Sequence, residues 1–568
     1  MGRPWRSLLR EEFVLPYSLR SPFFFPISFA SSEEICIFAV ENAISRPFVR
    51  KRQRHLKLYT QMKKLLTIIM LCLSHALWAQ NATYIQTGAK KVKFNPMLFG
   101  QFIEHFDRQI YGGIYQPGNP LSDEDGFRKD VIEAVRALRV PIVRWPGGCF
   151  VSSYHWYYGV GPERTPVWDK TWQVEEPNTF GTDEFVKWCR KVGCEPYICT
   201  NAGTGTMEEM SDWVEYCNLK AGKWGRQRIA NGYAEPHNVR YWSIGNENWG
   251  GHELGAKTVE EWGHLVCESA KLMLSVQKDL KLFAAALPDR GWTLPLLKTA
   301  GQWLDYVSIH GYWDPQYAVH NPSSYIDCMM MCDGPEESIS RTIDVLKEAG
   351  YGNGKIKIAF DEWNLRNWHH PVLGGYRQGF DYEARRKNDI ASVYTMADAV
   401  FSACFLNTCL RHADIVDIAC YSPIVNVRGP LFVYPEGILR RTTYYALWMY
   451  ANELLPYVVP THTTVPELQH GNKKTAVLDV VLTTDEASQN YVYAIANKDP
   501  QQDVSLALDF QRMGKKAPKK VRALILSGNG PDDYNDIGNE HVKPQEQQLP
   551  VKDGQITLPP HSISIVYL

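Results

Sequence analysis

The chain has 568 residues, of which 45% are hydrophobic and 22% are charged, and its formal net charge is −1. This length is too great for one ordinary domain and suits a barrel with a smaller partner domain. The hydrophobic and charged fractions are typical of a globular protein. Because the net charge is close to zero, nothing in the overall charge favours a nucleic-acid or membrane partner, and we expect neither.

The 13 cysteines form no pattern that predicts disulfides or a metal site. Two of them lie in the N-terminal leader, which leaves an odd number for the rest of the chain. The pairs Cys189/Cys194 and Cys328/Cys332 have a spacing that metal ligands use, but neither has a matching second pair. We therefore expect no bound metal.

The N-terminal segment predicts a leader rather than part of the folded protein. Residues 62–79 have a basic start, an apolar run of about a dozen residues and a final alanine, which is typical of a secretory signal peptide. The apolar run is shorter than the about 20 residues that a membrane-spanning helix needs. We therefore expect an exported bacterial protein, periplasmic or extracellular, that starts at Met62, with residues 1–61 a mis-set extension. The alternative is a genuine extension that makes residues 65–79 an internal anchor.

Residues 95–440 alternate between strand-like and helix-like segments. Apolar runs of strand length predict strands at residues 97–105, 141–148, 195–203, 240–247, 280–288, 305–313, 355–363 and 414–427. Segments with a 3.6-residue apolar period predict helices at residues 126–139, 182–193, 206–219, 258–276, 336–349 and 386–411. This alternation predicts an α/β fold, a (β/α)8 TIM barrel with long loops. The alternative, a doubly wound open sheet, lacks its phosphate-binding fingerprint, because Glu208 stands where the third glycine belongs.

From residue 441 to residue 568 the pattern changes to short alternating strands. They are separated by turns rich in Asn, Gly, Pro and Asp. This pattern predicts a C-terminal antiparallel β-sandwich domain. Residues 80–94 also resemble a strand, and we assign them to the sandwich because both ends of the folded chain would then lie together.

Polar side chains follow several of the predicted barrel strands, where those strands end. The fourth strand ends in Asn246 and Glu247, and the seventh ends in Glu362. Because barrel active sites form at the C-terminal ends of the strands, we expect both glutamates to face one pocket. Paired carboxyl groups carry out glycoside hydrolysis. The further candidates on the same rim are Glu104, Arg144, Cys149, His310 and Tyr312.

Several motifs resemble, in order and spacing, the α-L-arabinofuranosidases of glycoside hydrolase family 51. They are FGQFIEH, RWPGGCFVSSYHW, WSIGNEN, SIHGYW, FDEWN and LNTCLRHADIV. The resemblance runs from about residue 95 through the sandwich and implies a clan A barrel. It implies exo-acting, retaining release of terminal α-L-arabinofuranose from arabinan, arabinoxylan or related oligosaccharides. It also implies a homo-oligomer, often a hexamer, and no cofactor.

Matched motif by motif, the resemblance implies a role for each candidate residue. Glu247 is the implied general acid/base and Glu362 the implied nucleophile. The implied substrate-binding residues are Glu104, Arg144, Cys149, Trp172, Asn246, His310 and Tyr312. Since one carboxyl must protonate and the other must attack, we expect Glu247 to be protonated at rest and Glu362 to be ionised beside Arg144.

Two positions depart from the family pattern. Family members often have a sugar-contacting Gln where this chain has Pro423, and many have an aromatic residue where it has Arg366. We expect both changes to affect the leaving-group side or the preferred linkage. Two alternatives remain: an endo-glucanase or endo-xylanase on the same scaffold, and a non-catalytic carbohydrate-binding protein. The intact motifs around both glutamates argue against the second.

Overall fold

The computed structural model describes residues 81–314, 322–367, 377 and 379–568, so the predicted signal peptide and extension lie outside the described residues. Eight parallel strands close into a barrel in which each pairs with the next and the last pairs with the first. They are β1 Gly100–Phe102, β2 Ile142–Trp145, β3 Glu195–Thr200, β4 Tyr241–Ile244, β5 Lys281–Ala285, β6 Tyr306–Asp314, β7 Lys357–Arg366 and β8 Val416–Tyr421. The predicted (β/α)8 barrel is confirmed.

Helices connect the strands. Within the described residues they are α1 Lys129–Ala137, α2 Thr182–Val192, α3 Met207–Asn218, α4 Gly222–Ala230, α5 Val259–Val276, α6 Arg290–Ala300, α7 Tyr325–Met329, α8 Gly334–Glu348, α9 Tyr382–Asn388, α10 Met396–Arg411 and α11 Thr442–Glu453. Short 3-10 segments are Pro96–Phe99, Cys149–Ser153, Trp156–Gly159, Gly301–Trp303 and Ala391–Val393. Helix α6 was not predicted, because Pro295 lies inside it and is a strong helix breaker.

The predicted helix at residues 386–411 is wrong as a single element, because the structure divides it into α9 and α10. Thr395 starts the second helix: its hydroxyl accepts a hydrogen bond from the Ala397 N–H, and the Asp398 carboxylate accepts one from the Thr395 N–H at 2.9 Å. Side chains that satisfy the free N–H groups of a first turn define a helix start. The local cap therefore interrupts what looked like one continuous apolar pattern.

Two large sheets and a separate hairpin, Glu467–His470 paired with Lys473–Ala476, form the described C-terminal region. The first contains, in spatial order, Thr461–Thr464, Ala82–Ile85, Val504–Ala507 and Gln555–Leu558. The second contains Val92–Lys93, Tyr457–Val459, Leu478–Thr484, Tyr491–Asn497, Ser562–Tyr567, Lys520–Ser527 and Gln545–Pro550. A separate apolar core that includes Leu482, Tyr493, Leu506 and Val566 is buried in this region. The predicted C-terminal antiparallel region is present.

Residues 442–453 form helix α11 and pack against barrel helices, although the sequence pattern had grouped them with the sandwich. Tyr450 donates a hydrogen bond to Asn407 Oδ1 at 2.8 Å. Tyr444 donates one to the carbonyl of Ala134 at 3.0 Å. Helix α11 therefore follows β8 as the helix of the eighth strand–helix unit.

Aromatic side chains fill the interior of the barrel. The rings of Phe283 and Tyr306 stack with centroids 4.3 Å apart, and those of Tyr197 and Phe283 with centroids 4.4 Å apart. Such a layer makes the barrel a packed core rather than a pore. Among the described residues, no helix is long and apolar enough to cross a bilayer. The cysteines of the described region are unpaired thiols.

Candidate active site

Glu247 lies in a turn just beyond β4. Gly245 has φ +69° and Glu247 has φ +43°, so both residues are in the left-handed region. A Cβ atom at Gly245 would lie 2.0 Å from Asn248 Oδ1, so this turn requires glycine there. A glutamate with positive φ is uncommon, and strained residues of this kind cluster at functional sites.

Two histidines hold the Glu247 carboxylate, one at each oxygen. His310 Nδ1 lies 2.7 Å from Oε1, and His252 Nε2 lies 2.7 Å from Oε2. Burial by itself would raise the pKa of Glu247, but the hydrogen bonds from His252 and His310 outweigh it and hold the pKa well below its usual range. These contacts therefore favour the charged form of Glu247, contrary to the expectation that it is protonated at rest.

The surroundings of His310 favour its protonated form. Burial lowers its pKa, yet the charge of Glu362 and the hydrogen bonds to Asp361 and Glu247 raise it to about 10. The two groups face each other across one short hydrogen bond. We therefore treat Glu247 and His310 as a pair that holds one proton near neutral pH.

Glu362 lies within β7 and is only 3% exposed. Arg144 Nη1 donates a hydrogen bond to its Oε1 at 2.5 Å, and the Tyr312 hydroxyl donates one to its Oε2 at 2.7 Å. The Arg428 guanidinium lies 4.5 Å from the centre of the Tyr312 ring, so a second cation is present next to Tyr312. Both oxygens of Glu362 thus accept hydrogen bonds from fixed donors.

Arg144 joins three strand ends. Besides Glu362, its guanidinium donates a hydrogen bond to Asn246 Oδ1 at 2.7 Å. Its Nε lies 3.3 Å from Asp361 Oδ2. The Arg144 side chain is fully buried, so its charge is compensated by the ion pairs with Asp361 and Glu362 rather than by water. Asn246 in turn donates a hydrogen bond through Nδ2 to Glu253 at 2.8 Å.

The two predicted catalytic carboxyl groups meet in one pocket. An oxygen of Glu247 and an oxygen of Glu362 lie within 4.8 Å of each other and of a His310 nitrogen. His310 Nδ1 is 2.7 Å from Glu247 Oε1 and 3.7 Å from Glu362 Oε1. The structure therefore brings together the side chains that the sequence placed on separate strands.

Glu104 forms another wall of the pocket. Its Oε1 accepts hydrogen bonds from the Phe150 N–H at 2.9 Å and from Trp172 Nε1 at 3.1 Å. A Cβ atom on Gly148 would lie 2.6 Å from Glu104 Oε2, so the carboxyl group packs directly on the backbone. Burial raises the pKa of Glu104 to about 8, and the charge of Glu362 adds to the rise.

Trp172 and Cys149 lie near Glu104, as predicted for side chains of one site. Trp172 is only 7% exposed, so the described structure offers little of its ring as an open stacking surface. Cys149 is partly exposed and begins the 3-10 segment after β2. Burial, followed by the charge of Glu253, holds the pKa of the Cys149 thiol well above its usual value.

Asp361 is a site residue that sequence reasoning missed. It accepts hydrogen bonds from Tyr197 and Ser308, each at 2.6 Å. Strict strand alternation would send Asp361 and its neighbour Glu362 to opposite faces. The register between β6 and β7 shifts here, however, which inserts an extra residue into β7. A bulge of this kind re-aims side chains, so both carboxylates reach Arg144.

His252 and Glu253 were also missed, because they lie in a loop where spacing predicts nothing. Ser152 donates a hydrogen bond to Glu253 at 2.7 Å. Ser422, another missed residue, has its hydroxyl 2.9 Å from the Tyr312 hydroxyl. In the sequence, the only signal for these three residues was that each lies near a motif that resembles the family.

The two departures from the family pattern have different surroundings. Arg366 is buried and forms ion pairs with Asp314 at 2.7 Å and with Asp398 at 2.6 Å. These ion pairs account for its position, so any effect on a sugar would be indirect. Pro423 is buried directly after Ser422, beside the hydroxyl pair with Tyr312.

A parallel eight-stranded barrel that carries two close carboxyl groups at its strand ends is the architecture of a glycoside hydrolase. Comparison with known proteins identifies which kind of glycoside hydrolase this is. Family models described as the α-L-arabinofuranosidase 1 domain and the α-L-arabinofuranosidase C-terminal domain match residues 134–329 and 361–562. The chain belongs to the α-L-arabinofuranosidases of glycoside hydrolase family 51.

Similar proteins cover nearly all of the described chain. A probable α-L-arabinofuranosidase C of Aspergillus clavatus is 35% identical over 502 residues, which are 84% of this chain and 94% of that protein. An intracellular exo-α-(1→5)-L-arabinofuranosidase of Acetivibrio thermocellus is 32% identical over 80% of this chain and 92% of that protein. The structure of the family 51 α-L-arabinofuranosidase from Thermotoga petrophila is similar with a TM-score of 0.74 and 30% identity, over 86% of this chain and all of that one.

Proposed function

We propose that the protein is an exo-acting, retaining α-L-arabinofuranosidase that works by double displacement. Glu362 attacks the anomeric carbon and forms a glycosyl ester while Glu247 protonates the departing glycosidic oxygen. Glu247 then removes a proton from water, which attacks the ester, releases arabinose and frees Glu362. The close approach of the two carboxyl groups carries this proposal. Retaining enzymes separate them by about 5–5.5 Å, whereas inverting enzymes need about 6.5–9.5 Å.

The contacts of Glu362 suit a nucleophile. Arg144 and Tyr312 orient its two oxygens, one donor at each. A carboxylate that is held in place needs little reorganisation before it attacks. Asp361 shares the same guanidinium and thereby fixes Arg144 beneath the nucleophile.

The contacts of Glu247 suit a group that gives and receives a proton. After Glu247 protonates the leaving oxygen, its carboxylate is stabilised by hydrogen bonds from His310 and His252. Because these contacts favour the charged form, the proton must be supplied through the Glu247–His310 pair. Asn246 retains one lone pair on Oδ1 and one N–H on Nδ2, which can bind the 2-hydroxyl of the sugar.

We also propose that terminal arabinofuranose is taken from arabinan, arabinoxylan or related oligosaccharides, that residues 62–79 direct export, and that the protein forms a homo-oligomer. The sequence of the leader and the family resemblance support these points. N-terminal sequencing of the native protein tests the leader, and a mature end within residues 1–61 would contradict it. Light scattering of the purified protein measures the oligomer.

The test of the mechanism is hydrolysis of 4-nitrophenyl α-L-arabinofuranoside with added azide. In Glu247→Ala, azide should replace water on the glycosyl ester and yield an azide of the same α configuration as the substrate. In Glu362→Ala, azide should instead attack the substrate directly and yield the β product. The opposite pair of configurations would overturn the assignment of the two roles.

A further inference from the structure

Three different donor side chains lie together beside Glu247. Cys149, His252 and Glu253 each offer one ligand atom, and the three atoms lie within 4.8 Å of one another. Cys149 follows β2, whereas the other two follow β4, so the fold brings them together. Cysteine sulfur, imidazole nitrogen and carboxylate oxygen are the ligands that Zn²⁺ takes in proteins.

We propose that Cys149, His252 and Glu253 bind a soft divalent cation such as Zn²⁺, and that the bound ion inhibits hydrolysis. The hydrolytic reaction itself needs no metal, since two carboxyl groups and water suffice. The site would therefore be inhibitory and would share the entrance of the catalytic pocket.

Within the cluster, Glu253 is a buried ligand that is held in place, whereas His252 is accessible to solvent. Glu253 is 4% exposed and is held by Ser152 Oγ at 2.7 Å and Asn246 Nδ2 at 2.8 Å. The His252 side chain, by contrast, is 49% exposed. The His252 Nε2 atom lies 4.0 Å from Glu253 Oε1, so a small rotation of the imidazole would let both atoms bind one ion. Solvent exposure of His252 provides the entry path that a metal site needs.

Further carboxyl oxygens lie close to the cluster. Glu104 and Glu247 stand near the Cys149 thiol in addition to Glu253. Glu104 Oε2 is buried and has no hydrogen-bond partner among the residues that the structure describes. The thiol and the imidazole select a soft ion over Mg²⁺ or Ca²⁺.

The expected inhibition follows from the position of His252. Its Nε2 lies 2.7 Å from Glu247 Oε2, so an ion bound at this nitrogen lies beside the catalytic carboxyl group and blocks space that the sugar needs. The inhibition rests on the proposed role of Glu247, whereas the binding does not.

The test starts with the EDTA-treated, intact protein dialysed against ZnCl2. We expect one tightly bound Zn²⁺ that Cys149 ligates, reversible loss of 4-nitrophenyl α-L-arabinofuranoside hydrolysis, and no such loss with MgCl2. CdCl2 should produce a sulfur-to-metal charge-transfer absorption that corresponds to one thiolate. L-Arabinose should weaken metal binding, because Cys149 is expected to line the sugar subsite.

Variants locate the ion. Cys149→Ser should abolish the cadmium absorption, and His252→Ala and Glu253→Gln should each weaken Zn²⁺ binding by more than the about 10- to 100-fold typical of outer-shell partners. Cys217→Ser and His462→Ala, which change a thiol and an imidazole outside the cluster, should bind Zn²⁺ like the wild type. Circular dichroism establishes that each variant is folded, and His252→Ala alters only a half-exposed side chain.

Zn²⁺ binding that persists in Cys149→Ser would overturn the proposed site, as would a wild type that binds no stoichiometric Zn²⁺. Site-specific binding without inhibition would overturn the inhibitory role. The dialysis and the cadmium absorption need no turnover. They therefore distinguish a failure of this site from a failure of the proposed catalytic mechanism.

Discussion

The two carboxyl groups of the active site stand in contrasting surroundings. Glu362 lies within a barrel strand and is bound by a guanidinium and a phenol, groups that keep their protons throughout the neutral range. Glu247 lies on a strained turn beyond its strand and is bound by two imidazoles. Imidazole is the side chain that changes charge near neutral pH. The difference shows how one pocket can bind one carboxyl group through donors that keep their protons and the other through donors that exchange them.

The largest expected contrast comes from replacing each glutamate by alanine. Glu247→Ala should lower kcat/KM by about 10²–10⁴-fold for an arabino-oligosaccharide, because its alcohol leaving group needs a proton. The loss should be much smaller for 4-nitrophenyl α-L-arabinofuranoside, whose leaving group departs unprotonated. Glu362→Ala should lose activity on both substrates. Equal leaving-group dependence in the two variants would contradict the contrast, and Glu337→Ala, at an exposed glutamate, is the control.

Arg144→Leu should be next in size, since it leaves Asp361 and Glu362 buried without their shared cation. Breaking a buried ion pair in this way costs about 3–5 kcal/mol of stability. Urea unfolding measures it. The control is Arg290→Leu, which removes an exposed pair with Glu348 and should cost far less stability. Similar losses in the two variants would show that Arg144 does not organise the site.

Tyr312→Phe should have an effect of intermediate size on activity, and it should act only through the nucleophile Glu362. It removes a hydrogen bond to a charged group, worth about 1.5–3 kcal/mol, which corresponds to about a 10- to 150-fold change. We expect this loss in kcat/KM with little change in stability. Steady-state kinetics on both substrates measures it, with Tyr84→Phe at an exposed site as the control. A loss confined to the oligosaccharide would instead connect Tyr312 with proton donation.

His252→Ala should have the smallest effect, and only on the proton-donating side. His252 lowers the pKa of Glu247, so its removal should raise that pKa and strengthen proton binding by the Glu247–His310 pair. The alkaline limb of the kcat/KM profile should therefore move to higher pH, by less than about one unit. The profile is measured in EDTA, with His462→Ala as the control. A shift to lower pH would mean that His252 supplies the proton.

The apolar pattern of the chain predicts most of the architecture. Apolar runs at regular intervals place all eight barrel strands, and β4 and β7 deliver Glu247 and Glu362 as expected. Helix α6 escaped prediction because of Pro295, and one long predicted helix proved to be two because Thr395 caps the second. These errors arose where a local breaker or cap outweighed the apolar period.

Sequence by itself determined the barrel, the sandwich and the strands on which the site residues lie. It could do so because hydrophobic periodicity and turn residues act over short stretches of chain. The three-dimensional structure was needed to show that Asp361 joins Glu362 at Arg144, that Arg366 is bound by Asp314 and Asp398, and that His252 and His310 together hold the Glu247 carboxylate. Those outcomes depend on a strand register shift, on burial and on charges that are distant along the chain, none of which a local pattern encodes.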